Sequence, residues 1–152
     1  MGYITEIRKL VGHAPVMLCG GSVILEDEQG RVLLQKRLDN GCWGYAGGAV
    51  EMGEPIEAAA RRELFEETGL IADELELFDA FSGPETRFTY PNGDEVFFVD
   101  VVFLCKKYHG TLLAQPEEVE ELRFFPVDAL PEKLSPPIAK PLLKYAARKR
   151  KG

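Results

Sequence analysis

Glu63, Glu66 and Glu67 crowd the end of one short segment, GGAVEMGEPIEAAARRELFEETGL, which runs from Gly47 to Leu70. Its middle reads as a helix. Pro55 suits a first helical position, Glu54 just before it suits the positive N-terminal end, Ala58, Ala59 and Ala60 are strong helix formers, and Gly69 is a natural C-terminal stop. The helix is therefore predicted from about Pro55 to Thr68. At about 100° per residue, with Ile56 at zero, Ala60 falls at about 40° and Ala59 at about 300°, and together they define an apolar face. Glu63 falls at about 340°, Glu67 at about 20° and Glu66 at about 280° on the same wheel. All three acids thus share the arc expected to pack inward, while Phe65 points away.

Like charges one turn apart repel by roughly 0.2–0.5 kcal/mol per pair even in water, and partial burial removes the hydration that makes them tolerable. Either the acids take protons or a hard cation sits among them. Oxygen-only ligands favour Mg2+ or Mn2+ over zinc. Arg62, one turn before Glu66 and able to reach back to Glu54, would neutralise and orient a carboxylate without filling the cation's place. Gly47-Gly48 lets backbone approach a ligand closely and lets a carbonyl face it. A plain surface helix laced with Arg/Glu pairs is the alternative reading of the same residues.

The surrounding elements alternate strands with two helical stretches. Val16–Leu25 is apolar and β-rich, and the turn Asp27-Glu28-Gln29-Gly30 leads into Arg31–Lys36, so these two runs read as a hairpin. Leu75–Phe81 alternates like a half-buried strand. Thr86–Tyr90 and Glu95–Leu104 flank Pro91-Asn92-Gly93-Asp94, whose Asn-Gly is a hairpin turn signal. Leu122–Pro126 reads as a last strand, and a C-terminal helix covers about 136–150. The extension Gly2–Leu10 is open between adding an edge strand and pairing with a neighbouring subunit in a homodimer.

At 152 residues, 45% hydrophobic and 28% charged, the chain suits one domain over 1–152 with a real core. No apolar run approaches the ~20 residues that cross a bilayer, and the start lacks a secretory signal, so no membrane partner is expected. Cys19, Cys42 and Cys105 lie far apart with no CxxC pair, which argues against a zinc ribbon or disulfide framework and points to a reducing compartment, the cytoplasm; they read as small buried hydrophobes. A net charge of −7 is the wrong sign for a duplex nucleic-acid binder, so no stable nucleic-acid partner is expected. An anionic substrate is compatible with it when a cation stands between substrate and protein. The run Arg148–Lys151 reads as a solvated helix end, and His13 and His109 as surface residues.

The acidic segment resembles the signature of the Nudix hydrolases: G, five residues, E, seven residues, then R-E-U-x-E-E-x-G-U with U bulky and aliphatic. Gly48, Glu54, Arg62, Glu63, Leu64, Glu66, Glu67, Gly69 and Leu70 fill every fixed position of this box, 48–70. The residue before Gly47-Gly48 is Ala46, where the family often carries proline. The resemblance implies an α/β (α+β) fold, an α/β/α sandwich with a mixed β-sheet between helices, and hydrolysis of a nucleoside diphosphate linked to another moiety. It implies that Glu63, Glu66 and Glu67 ligate divalent metal with the Gly48 carbonyl, and that Glu54 and Arg62 support them. Some members recruit a further Glu from the loop before the last strand; here that loop is Gln115–Glu121, and Glu118 is the candidate ligand or base, a solvated acidic loop being the alternative.

Arg37 reads as a phosphate contact or an ordinary strand-end cation. Trp43 stacks on a base or packs the loop, and Phe88 and Tyr90 line a base pocket or pack in their hairpin. Pro84 lies near the offset, about fifteen residues past the box, where ADP-ribose enzymes of the family carry proline. The reading that results is a pyrophosphohydrolase of ADP-ribose or sugar-nucleotide type. A nucleoside triphosphate pyrophosphohydrolase of the MutT-like, pool-cleansing kind and a non-hydrolytic nucleotide-binding module are the alternatives.

Overall fold

A computed structural model describes residues 2–151; Met1 and Gly152, the outermost residues of the expected domain, lie outside the described residues. The chain forms α1 (Tyr3–Val11), β1 (Val16–Leu25), β2 (Val32–Arg37), β3 (Trp43–Gly44), β4 (Ala46–Ala49), α2 (Ile56–Thr68), β5 (Leu70–Phe81), β6 (Arg87–Thr89), β7 (Glu95–Gly110), β8 (Val119–Phe125) and α3 (Pro136–Lys151), with a 3-10 turn over Pro84–Thr86.

The main sheet runs β4-β1-β7-β5, with β6 also paired to β7. It is mixed: β1 and β7 are parallel from Val16↔Val96 to Leu25↔Cys105, while β4, β5 and β6 run antiparallel to their neighbours. A near-continuous apolar strand such as β1 suits a sheet covered on both faces. Two cores confirm the cover. Val23, Leu25 and Ala46 pack with Ala60 and Leu64 of α2 on one face. Ile24, Val102 and Leu104 pack with Leu142 and Tyr145 of α3 on the other. The expected α/β/α sandwich is thus the one observed.

The β1–β2 hairpin is corrected. Its turn forms, with the Asp27 N–H donating to Arg31 O and the Gly30 N–H to Asp27 O. Beyond the single bridge Glu26↔Val32, however, the strands part. β1 is flanked by β4 and β7, so β2 joins a second, antiparallel sheet ordered β3-β2-β8. The edge-strand alternative for the N-terminal extension is also corrected, because it is α1, tied down by Arg8, which donates to Gly12 O, Ala14 O and Glu95 O. β5 begins at Leu70, directly after the αL glycine Gly69, rather than at residue 75. β8 begins at Val119, so only Gln115–Glu118 of the acidic stretch is loop. Cys42 and Cys105 are buried as expected, but Cys19 is exposed. It lies near the start of β1, between buried Leu18 and Gly20, where exposure still alternates along the strand.

Candidate active site

α2 starts after Pro55, which caps it in extended conformation, and stops at Gly69, whose N–H donates to Phe65 O. Its buried residues are Ala59, Ala60, Leu64 and Thr68. Small residues let it lie close to the sheet: a Cβ on Gly21 of β1 would sit 2.9 Å from Ile56 O and 3.1 Å from Ala60 N. Leu64, at about 80° on the wheel, and Thr68, at about 120°, swing the buried arc away from Glu66 at about 280°. The expectation of three inward acids is therefore corrected for one of them. The Glu66 side chain is 55% exposed, whereas that of Glu63 is 15% exposed. Phe65 points to solvent as expected.

Glu67 is half-buried and accepts a hydrogen bond from the Gly47 N–H at 2.9 Å. Burial, then the charge of Glu63, push its pKa up to about 8. Burial also raises Glu63, and the negative charge of Glu118 bears on both. Gly48 faces the same carboxylates, since a Cβ there would lie 2.5 Å from the Glu63 carboxyl carbon. Arg62 is the brace. It donates to both oxygens of Glu54 at 2.8 and 3.0 Å, to Glu63 at 2.8 Å, to Ala49 O at 3.2 Å and to Glu66 at 3.5 Å. The Arg62 guanidinium holds the Glu54 carboxyl down at a pKa of about 2.

The donor set fits a hard divalent cation. It contains only oxygens, and burial and mutual repulsion push two of its carboxylates toward protonation, a strain that a cation relieves. Among the described residues no three acidic, His or Cys side chains converge on one ligating point. Glu63 is turned to Arg62 and Glu67 to Gly47. Glu118 is exposed, and its carbonyl accepts from Leu38 N at 3.1 Å.

On the face of the sheet away from α2, a cavity of about 730 Å³ opens beside Gly47, Gly48 and Ala49. Arg37 lines it, but its guanidinium is already paired with both oxygens of Asp39, at 2.9 and 2.8 Å. Phe88 and Tyr90 line it as an edge-to-face pair 4.9 Å apart. Trp43 takes the packing role of its two alternatives: it is 8% exposed, edge-on to Phe125 at 4.9 Å and outside the cavity wall. Pro84 opens the 3-10 turn that sets Thr86 into the wall. His13 and His109 pair with Asp94 and Asp73 at the surface.

Sequence reasoning missed several wall residues. α1 contributes Arg8. β2 contributes Gln35, whose buried Oε1 has no hydrogen-bond partner among the described residues. Ser22 and Asp100 meet in the floor, and Tyr45 joins them. Asp100 carried a legible signal: it is the only charge in the run Val96–Leu104.

This geometry agrees with the sequence comparisons. The NUDIX domain matches residues 20–146, and the chain belongs to that family. It is 35% identical over 109 residues to an ADP-ribose pyrophosphatase of Methanocaldococcus jannaschii, covering 70% of this chain but only 60% of that protein. It is 35% identical over 115 residues to an oxidized purine nucleoside triphosphate hydrolase of Danio rerio, covering 72% of this chain and 67% of that one. Among solved structures, a MutT NUDIX hydrolase from Burkholderia pseudomallei superposes with a TM-score of 0.71 at 30% identity, over 84% of this chain and 96% of that one.

Proposed function

We propose that this protein is a divalent-metal-dependent hydrolase of the pyrophosphate linkage in a nucleoside diphosphate joined to another moiety, of ADP-ribose or sugar-nucleotide type. Its products are a nucleoside monophosphate and a phosphorylated remainder. The observation that carries this reading is the placement of Glu63 and Glu67 against the Gly47-Gly48 strand, which borders the 730 Å³ cavity. Among the described residues, no helix is long and apolar enough to cross a membrane.

Glu63, Glu66 and Glu67, with the Gly48 carbonyl, would hold Mg2+ or Mn2+. Such a cation, when bound, neutralises pyrophosphate oxygens and lowers the pKa of water. Arg62 fixes Glu63 and, through Glu54 and Ala49 O, ties the helix to the strand–loop it faces. The Gly47 N–H fixes the Glu67 carboxylate. A carboxylate at the site, with Glu118 the candidate beside Glu67, takes the proton of the attacking water. The cavity holds the nucleoside, and Arg37 stands at its edge as a candidate phosphate contact.

Nucleoside triphosphate hydrolysis is the second reading, favoured by the named activity of the Danio rerio relative. A panel of ADP-ribose, sugar nucleotides, diadenosine polyphosphates and oxidised and normal triphosphates, each with magnesium or manganese, separates them. Release of AMP from ADP-ribose that stops with EDTA supports the first reading. Faster pyrophosphate release from triphosphates replaces it with the second. Binding without turnover across the panel makes the protein a nucleotide-binding module.

A further inference from the structure

The floor of the cavity holds a buried acid that the hydrolytic scheme does not use. Asp100 on β7 is 8% exposed. Its Oδ1 accepts from Ser22 Oγ at 2.7 Å and its Oδ2 from the Tyr45 hydroxyl at 3.1 Å. Among the described residues it makes no ion pair. A carboxylate oxygen has room for two hydrogen bonds and each of these accepts one side-chain donor, so one acceptor position on each is left over. A buried carboxylate without a cation is unfavourable for the fold alone, and such groups in clefts mark functional sites.

Its place relative to the box is fixed by register. Ala49, Gly20 and Asp100 lie side by side on β4, β1 and β7. Two strand spacings, about 9–10 Å, therefore separate the Asp100 backbone from the glycine strand. Gly20, between them, has no side chain. The point where its Cβ would be is 3.3 Å from Asp100 Oδ1 and 3.6 Å from the Gly48 carbonyl oxygen. The strip between the candidate metal ligand and the buried acid is thus bare backbone, on which a ribose can lie. Phe88, Tyr90 and Phe98 form apolar wall around it.

We propose that Asp100, held by Ser22 and Tyr45, is the specificity-determining residue for the nucleobase, accepting a hydrogen bond from the exocyclic amine of a purine. This rests on the nucleotide reading of the cavity. An ionised carboxylate only accepts, so it favours an edge bearing N–H donors and repels a carbonyl set in the same place. Adenine and guanine both carry such an amine; hypoxanthine carries none.

The test is calorimetric binding of AMP, GMP and IMP to the full chain in EDTA, so that no turnover is involved. Wild type is expected to bind AMP or GMP about 10-fold or more tightly than IMP; the nucleotide that does so identifies the amine. Asp100→Asn should bring that ratio near one, and Tyr45→Phe, which removes one of the two anchors, should lower it part of the way. Gly20→Ala places a methyl group on the bare strip and should weaken all three nucleotides alike, with the ratio kept. No preference in wild type, or one that survives in a folded Asp100→Asn, overturns the assignment. Should Asp100→Asn not fold, an unchanged ratio in Tyr45→Phe overturns it instead. Base preference without hydrolysis of any nucleotide under magnesium leaves this assignment standing and removes the hydrolase reading; hydrolysis without base preference does the reverse.

Discussion

The Gly47 N–H donates to Glu67 Oε1 at 2.9 Å, joining the glycine strand β4 to the acidic end of α2. Strand and helix are thus locked at the carboxylate on which the proposed hydrolysis depends.

Glu67→Gln keeps an oxygen for that N–H and removes the charge. Because burial already disfavours the carboxylate, with its pKa up at about 8, the melting temperature at neutral pH should hold or rise. Steady-state kinetics with magnesium should show kcat down by about 10²- to 10⁴-fold. Wild-type kcat in this variant would remove Glu67 from the site.

Arg62→Ala releases Glu54, Glu63 and the Ala49 carbonyl together. Both rate and stability should fall, stability by about 1–3 kcal/mol for a brace that is roughly one-third exposed. The acid limb is diagnostic. Glu54 is depressed from 4.5 to about 2 by Arg62, so its stabilisation is complete above the unfolded-state value and is lost as pH falls through the folded one. Denaturation curves between pH 5 and 2 should show this loss in wild type and a smaller one in Arg62→Ala.

Gly47 and Gly48 should fail differently. A Cβ on Gly47 would lie 2.2 Å from Ser22 Oγ and 2.9 Å from the Ser22 Cα, a clash with backbone that no side-chain rotation clears. On Gly48 it meets the end of the Glu63 side chain, which can turn aside. Gly47→Ala should lower the melting temperature. Gly48→Ala should fold normally but bind manganese more weakly in titrations followed by its paramagnetic signal. Equal melting of the two variants would contradict this contrast.

Asp100 gives the opposite pH slope to Glu54. Burial raises it from 3.8 to about 6, so the native state holds its proton longer than the unfolded chain. Its stability contribution is full below about pH 4 and is lost as pH rises through about 6, amounting to at most about 3 kcal/mol. Urea denaturation from pH 4 to 8 should show this decline in wild type and a flatter profile in Asp100→Asn.

The acidic helix was legible because helix signals and box spacing act within one turn or two: Pro55, the alanines and Gly69 define it locally. The α/β/α sandwich followed from the family resemblance. What stayed hidden depended on long-range pairing. β2 leaves the β1 hairpin only because β1 is flanked on both edges. The exposure of Glu66 followed from Leu64 and Thr68, which the wheel set on Ile56 had not weighted. Ser22, Tyr45 and Asp100 stand 78 and 55 residues apart along the chain in their hydrogen bonds, beyond any local pattern. Trp43 could be resolved between stacking and packing only once Phe125 was placed beside it.

Adjacent residues of β1 face different worlds: Val23 packs toward α2 and Ile24 toward α3. Selection can therefore remodel one side of the sheet, where the nucleoside would rest, while the layer bearing the acids drifts little. A scaffold divided in this way permits new substrates to be acquired by substitutions that never disturb bond cleavage.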